Sequence, residues 1–242
     1  MSVKDHVQQL GGAFMFSREA KEFGKTTGVD GFIGPYMRGR AGVLGDVDAD
    51  VVTAAVGFFP ADAVRAAWES VAMPAAEATA GYARAAQGFG RRKLAAFGDA
   101  DRLAELLKAV ADAAEVGGVP LFAGWRAVEL PADGSARVLQ LTHVLRELRG
   151  GLHFLAVKAQ GLGPRDAVVI GGSPMASGPD QARLYGWREP FDEITPDMRE
   201  RWTAAEALTD VLIAPAFAVL SAAELTELED LLAKAHTAAF AR

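Results

Sequence analysis

Apolar residues recur every three to four positions along most of the chain, most clearly at Leu103, Leu106, Leu107, Val110 and Ala114. That spacing places all five side chains on one face of a helix. Asp99 or Asp101 can cap its start, and Gly117-Gly118 followed by Pro120 supplies a stop. The same punctuation predicts more helices. Ser17 caps one closed by Gly28, Asp48 caps 51–56, Pro60 opens a helix to Met73, and Pro74 opens another through Tyr82. Helical periodicity also covers 136–159, 195–214 and 221–239, the last with Ser221 and Glu224 in capping-box spacing. One short β-branched run, 167–170, ends in Gly171-Gly172-Ser173-Pro174 and reads as a strand. The pattern predicts a mainly α protein with a helical N-terminal lobe at 1–117 and a second lobe at 135–242 holding at most a short β element. Residues 117–134 form the linker between them, and 161–179 is a second glycine- and proline-rich stretch.

The segment 141–155 carries two patterns at once. Leu141, Leu145, Leu148, Leu152 and Leu155 form one apolar stripe if the helix is continuous. Beside it lie Arg146, Arg149 and His153, three cationic or protonatable groups on one face, able to hold a carboxylate or phosphate next to an apolar surface. The plain alternative is a solvated helix edge whose arginines pair with Glu147 and other acids. Gly150-Gly151 weakens a helix by about 1 kcal/mol per glycine relative to alanine, and a break there would destroy the alignment. His143 and Glu147, four apart, could offer two metal ligands, but no second pair completes a site and no metal is expected. Arg38 and Arg40 sit in Tyr36-Met-Arg-Gly-Arg-Ala-Gly-Val-Leu-Gly45, where glycines around two arginines mark a turn able to converge on an anion. Arg91-Arg92-Lys93 reads as a solvated helix end. The aromatic residues crowded into the first seventy positions, among them Phe58 and Phe59, suit either a core or a pocket wall. Residues 168–173 resemble a strand entering a glycine turn, yet neither GxGxxG nor GxxxxGK[ST] follows, and no GxSxG is present.

Composition narrows the classes. With 242 residues, half of them hydrophobic and 23% charged, the chain can bury a large core. The absence of cysteine removes disulfides, thiolate metal sites and thiol nucleophiles, and fits a reducing cytoplasm. A net charge of −6 is opposite in sign to a phosphate-binding footprint, so nucleic acid is disfavoured as a partner. No run reaches the roughly 18 uncharged apolar residues of a membrane span. Met1-Ser2-Val3-Lys4-Asp5 has no apolar leader, so a cytoplasmic location is expected.

Five blocks, 36–45, Phe58-Phe59-Pro60, Leu145-Arg-Glu-Leu-Arg-Gly-Gly-Leu-His153, Gly186-Trp187 and Glu206-Ala-Leu-Thr209-Asp210, stand in the order seen in a largely uncharacterised actinobacterial family of helix-turn-helix proteins. The chain resembles that family from about Phe14 to Leu220. The resemblance implies a winged-helix-derived C-terminal lobe. In the family the central block usually reads Leu-Arg-Glu-His-Arg-Gly-Asp-Gly-His; here Leu148 replaces the first histidine and Gly151-Leu152 replaces Asp-Gly. Between Trp187 and Glu206 the chain is shorter than its relatives, which implies a truncated recognition helix and wing. Asp192, Glu193, Asp197 and Glu200 would repel phosphates there. The expectation is therefore a protein that binds a small apolar ligand carrying an anionic group, without specific DNA binding. Arg38, Arg40, Arg146, Arg149 and His153 would hold that ligand, with Tyr36, Phe58, Phe59 and Trp187 as the wall. Two alternatives stand beside it: an enzyme using His153 as acid or base with Arg146 as anion clamp, since histidine is the obvious group titrating near neutrality, and a winged-helix transcriptional regulator. No cofactor is assigned, and a homodimer is left open.

Overall fold

The computed structural model describes residues 2–173 and 176–241, which form thirteen α-helices. Among them no strand occurs, only an isolated bridge between Ser173 and Ala176. The first eight helices are α1 (Val3–Ala13), α2 (Arg18–Thr26), α3 (Ile33–Ala41), α4 (Ala49–Val56), α5 (Ala61–Ser70), α6 (Ala75–Lys93), α7 (Ala100–Ala113) and α8 (Pro120–Ala127). The remaining five are α9 (Gly134–Ala159), α10 (Pro164–Gly171), α11 (Gly178–Tyr185), α12 (Pro196–Phe217) and α13 (Ala222–Phe240). Among the described residues, no single helix is long and apolar enough to cross a membrane.

Many caps follow the sequence signals. The side chains of Ser17, Asp48, Asp133, Ser177, Thr195 and Ser221 each accept from a backbone N–H in the first turn of their helix. Ser221 and Glu224 close the expected capping box. The expected strand is instead α10. Gly163 and Pro164 start it, Ala167 and Val168 face inward, and among the described residues no strand stands beside it to pair with. The helix penalty of a β-branched residue is only a few tenths of a kcal/mol, and burial overrides it. The segment 117–134 likewise carries α8, whose Phe122 and Trp125 are fully buried.

Helix α9 runs unbroken through Gly150-Gly151 as the central helix, packed against α1, α6, α7, α8 and α12. Gly151 has a packing reason, because a Cβ there would lie 2.7 Å from the Val119 side chain. The buried face of α9 turns along its length. Leu141, Leu145 and Leu148 are buried, Leu152 is only partly so, and Leu155 is 40% exposed. His153, Ala156 and Val157 take over as the inward positions. The turn occurs because α9 leaves the main core, drawn from α1 to α9 with α12 and α13, and enters a second, smaller one. That second core joins Ala156, Val157, Leu162, Ala167 and Ala205, with Phe58 and Trp202 at its edge.

Candidate functional site

The expected site residues fall into separate groups. The first lies in the main core. Arg40 donates to Glu147 through Nε (2.8 Å) and Nη2 (2.7 Å), and its Nη1 donates to the Tyr36 hydroxyl at 3.0 Å. Arg146, one residue before Glu147, approaches the same carboxylate through Nη1 at 3.3 Å. Burial alone would raise the Glu147 carboxyl; Arg40, with help from His143 and Arg146, overrides it and holds the group down to about 2. Burial works against the charge of Arg40 too, and Glu147 restores it. His143 sits on the same face of α9, enclosed edge-on by Trp125, Phe14 and Tyr82. Burial pushes its pKa down to about 4, so the ring is neutral near pH 7. Its Nδ1 lies 3.9 Å from a Glu147 oxygen, and the Gly11 backbone and Glu147 both act against the burial effect. A cavity of about 50 Å³ beside Arg40 and Glu147 is walled mainly by apolar residues, including Val56, Phe58, Val119 and Phe154.

The second group joins α9 to α12. Arg149 donates to Glu206 at 2.7 Å, and His153 Nε2 lies 3.6 Å from the other oxygen of that carboxylate. The Thr209 hydroxyl donates its only hydrogen to the Ala205 carbonyl at 2.7 Å. It must therefore accept from His153 Nδ1, 2.9 Å away, which fixes the proton of the neutral ring on Nδ1. Burial lowers the His153 pKa, with Arg149 and Lys4 acting in the same direction and Glu206 and Asp210 against it.

Arg38 belongs to neither group. It stacks on Trp68, donates to the Met73 carbonyl at 2.8 Å and pairs with Asp46. Phe59 and Trp187 converge on α11, whereas the Phe58 side chain turns to His153 and Phe154 and only its carbonyl meets Trp187. Phe59 stacks on Tyr185 with ring centroids 4.0 Å apart, Trp187 Nε1 donates to the Phe58 carbonyl at 3.0 Å, and Arg188 pairs with Asp62. Sequence reasoning missed Glu206, Trp202 and Tyr185, and treated Glu147 mainly as a surface partner. The available signal for Glu147 was its place beside Leu148 within the arc of the leucine stripe.

Among the described residues, no group of three or more histidine, aspartate or glutamate side chains is arranged to hold a metal. Two helix pairs consist of two short helices in succession. Helices α4 and α5 are joined through Gly57-Phe58-Phe59-Pro60, with Gly57 at φ +72°. Helices α10 and α11, eight residues each, follow one another in the chain, with Gly172 at φ +57° just beyond α10 and Ser177 capping α11. A family model described as a helix-turn-helix family matches residues 1–242. The chain belongs to this helix-turn-helix family. No curated protein and no solved structure matches it.

The family corrects the expectation of a ligand binder without specific DNA binding, and the matching expectation about partners, because a helix-turn-helix family points to DNA. That expectation had rested on the net charge of −6, on a shortened recognition segment and on Asp192, Glu193, Asp197 and Glu200, and the family membership overrides all three. Over 158–201 six cations stand against seven carboxylates, so this end of the helix-turn-helix protein is close to neutral while the whole carries −6. Its arginines are exposed or half-exposed and engage carboxylates: Arg165 with Asp192, Arg183 with Asp180 and Glu189, Arg188 with Asp62, and Arg201 with Asp197. Pairs of that kind are worth about 0–1 kcal/mol, so a phosphate can displace the acid at small cost.

Proposed function

We propose that this protein is a DNA-binding transcriptional regulator that reads duplex DNA through α10 and α11, with α11 entering the major groove. The observation that carries this reading is the whole-chain membership of a helix-turn-helix family. The choice of pair rests on chemistry. The outward side of α5 offers Asp62, Arg65 and Glu69, one cation against two carboxylates, and residues 186–188 lie over its N-terminal end. The outward side of α11 offers Arg183 and Leu184, followed by Arg188, whose side chain is 87% exposed. An open groove of about 910 Å³ beside α11 brings Arg199 near Arg183, with Glu189, Asp192 and Glu193 also in its lining and Phe191 and Ile194 in its wall. A guanidinium such as that of Arg183 can bond O6 and N7 of a guanine at once, a contact worth about 1–3 kcal/mol of discrimination against another base.

The test compares fluorescence anisotropy of the wild type, Arg183→Ala and Arg65→Ala on a duplex enriched by the wild type from a random pool. Arg183→Ala is expected to weaken binding about tenfold, equivalent to about 1.4 kcal/mol, and to relax preference at one base pair. Arg65→Ala is expected to bind like the wild type. The reverse ranking would move the interface to α4 and α5.

A further inference from the structure

One junction ties the helical body to α10 and α11. The Trp202 ring of α12 lies against the backbone of Gly171, where a Cβ would fall 2.6 Å from the ring, at the C-terminal end of α10. Trp202 and His153 meet with their rings perpendicular and centroids 5.0 Å apart. Phe58 lies on another side of His153 at 5.7 Å, and its carbonyl holds Trp187 just beyond α11. His153 therefore touches both supports of the α10–α11 pair, the Trp202 wedge on one side and the Phe58 strap on the other.

The ring is also poised for a proton. With Nδ1–H committed to Thr209, the Nε2 lone pair faces the Glu206 carboxylate at 3.6 Å, an arrangement without a hydrogen bond. A proton on Nε2 turns this contact into a charge-assisted donor, drawing Glu206 toward the ring and away from the Arg149 fork. Burial opposes that proton most; Arg149 from α9 and Lys4 from α1 oppose it too, and Glu206 and Asp210 from α12 favour it. The α4–α5 turn presents the uncharged Phe58. Trp202 meets the His153 ring directly, so a displacement of that ring passes to Trp202 and on to Gly171.

We propose that His153 is a proton-sensitive positioning residue that sets the orientation of α10 and α11 through Trp202 and Phe58, so that protonation of its Nε2 weakens DNA binding. The inference rests on the DNA-binding reading above for its outcome and on the His153–Trp202–Gly171 contacts for its mechanism.

Two readouts on the full chain keep those parts separate. Tryptophan emission is followed from about pH 7.5 to 5 in the wild type, His153→Gln and Trp202→Phe, because an imidazolium against an indole quenches it. A step present in the wild type and lost in both variants is expected; a wild type without the step overturns the proposal. Affinity for the enriched duplex is then measured for the wild type and His153→Gln at about pH 7.5 and 5.5. The wild type is expected to lose at least about threefold relative to the variant, or about 0.6 kcal/mol, and parallel behaviour of the two overturns the coupling. If neither binds any duplex, the functional reading has failed. In that case hydrogen exchange over 164–185, corrected for intrinsic rates, decides the mechanism. A pH-dependent change in protection seen only in the wild type supports the coupling, and equal behaviour overturns it.

Discussion

Replacing Glu147 by glutamine keeps its shape and removes the charge that Arg40 has been buried against. The side chains of Arg40 and Glu147 are 10% and 1% exposed, so neither can turn to water without moving a helix. The variant loses the charge on two hydrogen bonds of 2.8 and 2.7 Å and leaves an uncompensated guanidinium inside. Hydrogen bonds to charged groups are worth about 1.5–3 kcal/mol each, and breaking a buried ion pair from one side costs about 3–5 kcal/mol. The two routes agree, so Glu147→Gln is expected to lose about 3–5 kcal/mol, or about 6–20 °C in Tm for a domain of this size. Removing both partners leaves no orphaned charge, and Arg40→Met with Glu147→Leu is expected to return to within about 1–2 kcal/mol of the wild type. Urea unfolding followed by circular dichroism measures all three. A single variant that loses less than about 1 kcal/mol would refute the reasoning. It would mean that Arg40 has another partner within reach and that the pair is not a structural bridge between α3 and α9.

Neighbouring glycines on α9 should respond with opposite signs. Gly150→Ala, where a Cβ meets nothing within 4 Å, is expected to gain about 0.5–1 kcal/mol, and Gly151→Ala, pressed on Val119, to lose about 1–3 kcal/mol, both read as urea midpoints. His143, neutral in the fold and pushed down to about 4, contributes stability that is complete above about pH 6.5 and is lost as pH falls through 4. His143→Leu is expected to match the wild type within about 1 kcal/mol at pH 7 and to exceed it below pH 5, checked by Tm against pH; equal acid sensitivity would exclude His143 as the cause. The salt dependence of DNA binding should be shallow, because Arg165, Arg183, Arg188 and Arg199 are the cations at hand. A log–log slope of about −2 to −4 per protomer is expected, and one near zero would remove phosphate contacts from the account.

Helix positions were legible where local chemistry and tertiary packing agree. The run from Leu103 to Val110 is buried as its spacing demands, and Ser17, Asp48 and Ser221 cap as their types predict. Legibility failed where a distant contact decides. Residues 167–170 look like a strand by themselves, and only the surrounding helices make them α10. The leucine stripe was extrapolated to Leu155, but α9 passes into a second core and its inward face turns to His153, Ala156 and Val157. The arginines of the candidate site were legible as types and not as partners. Arg40 meets Glu147 across 107 positions and Arg149 meets Glu206 across 57, distances over which no periodicity speaks. Phe58, Phe59 and Trp187 were expected to share a wall; Phe59 goes to Tyr185 of α11 and Trp187 to the Phe58 carbonyl, while the Phe58 ring packs on His153 and Phe154.

Sequence-selective binding of duplex DNA tests the central claim most directly. Wild-type protein is titrated at physiological salt against the duplex it enriches from a random pool and against a scrambled duplex of the same composition. The account predicts a dissociation constant of about 10⁻⁸ M or tighter for the enriched duplex and at least about 10³-fold weaker binding to the scramble. Equal affinities for the two duplexes, or no binding to either, would contradict it.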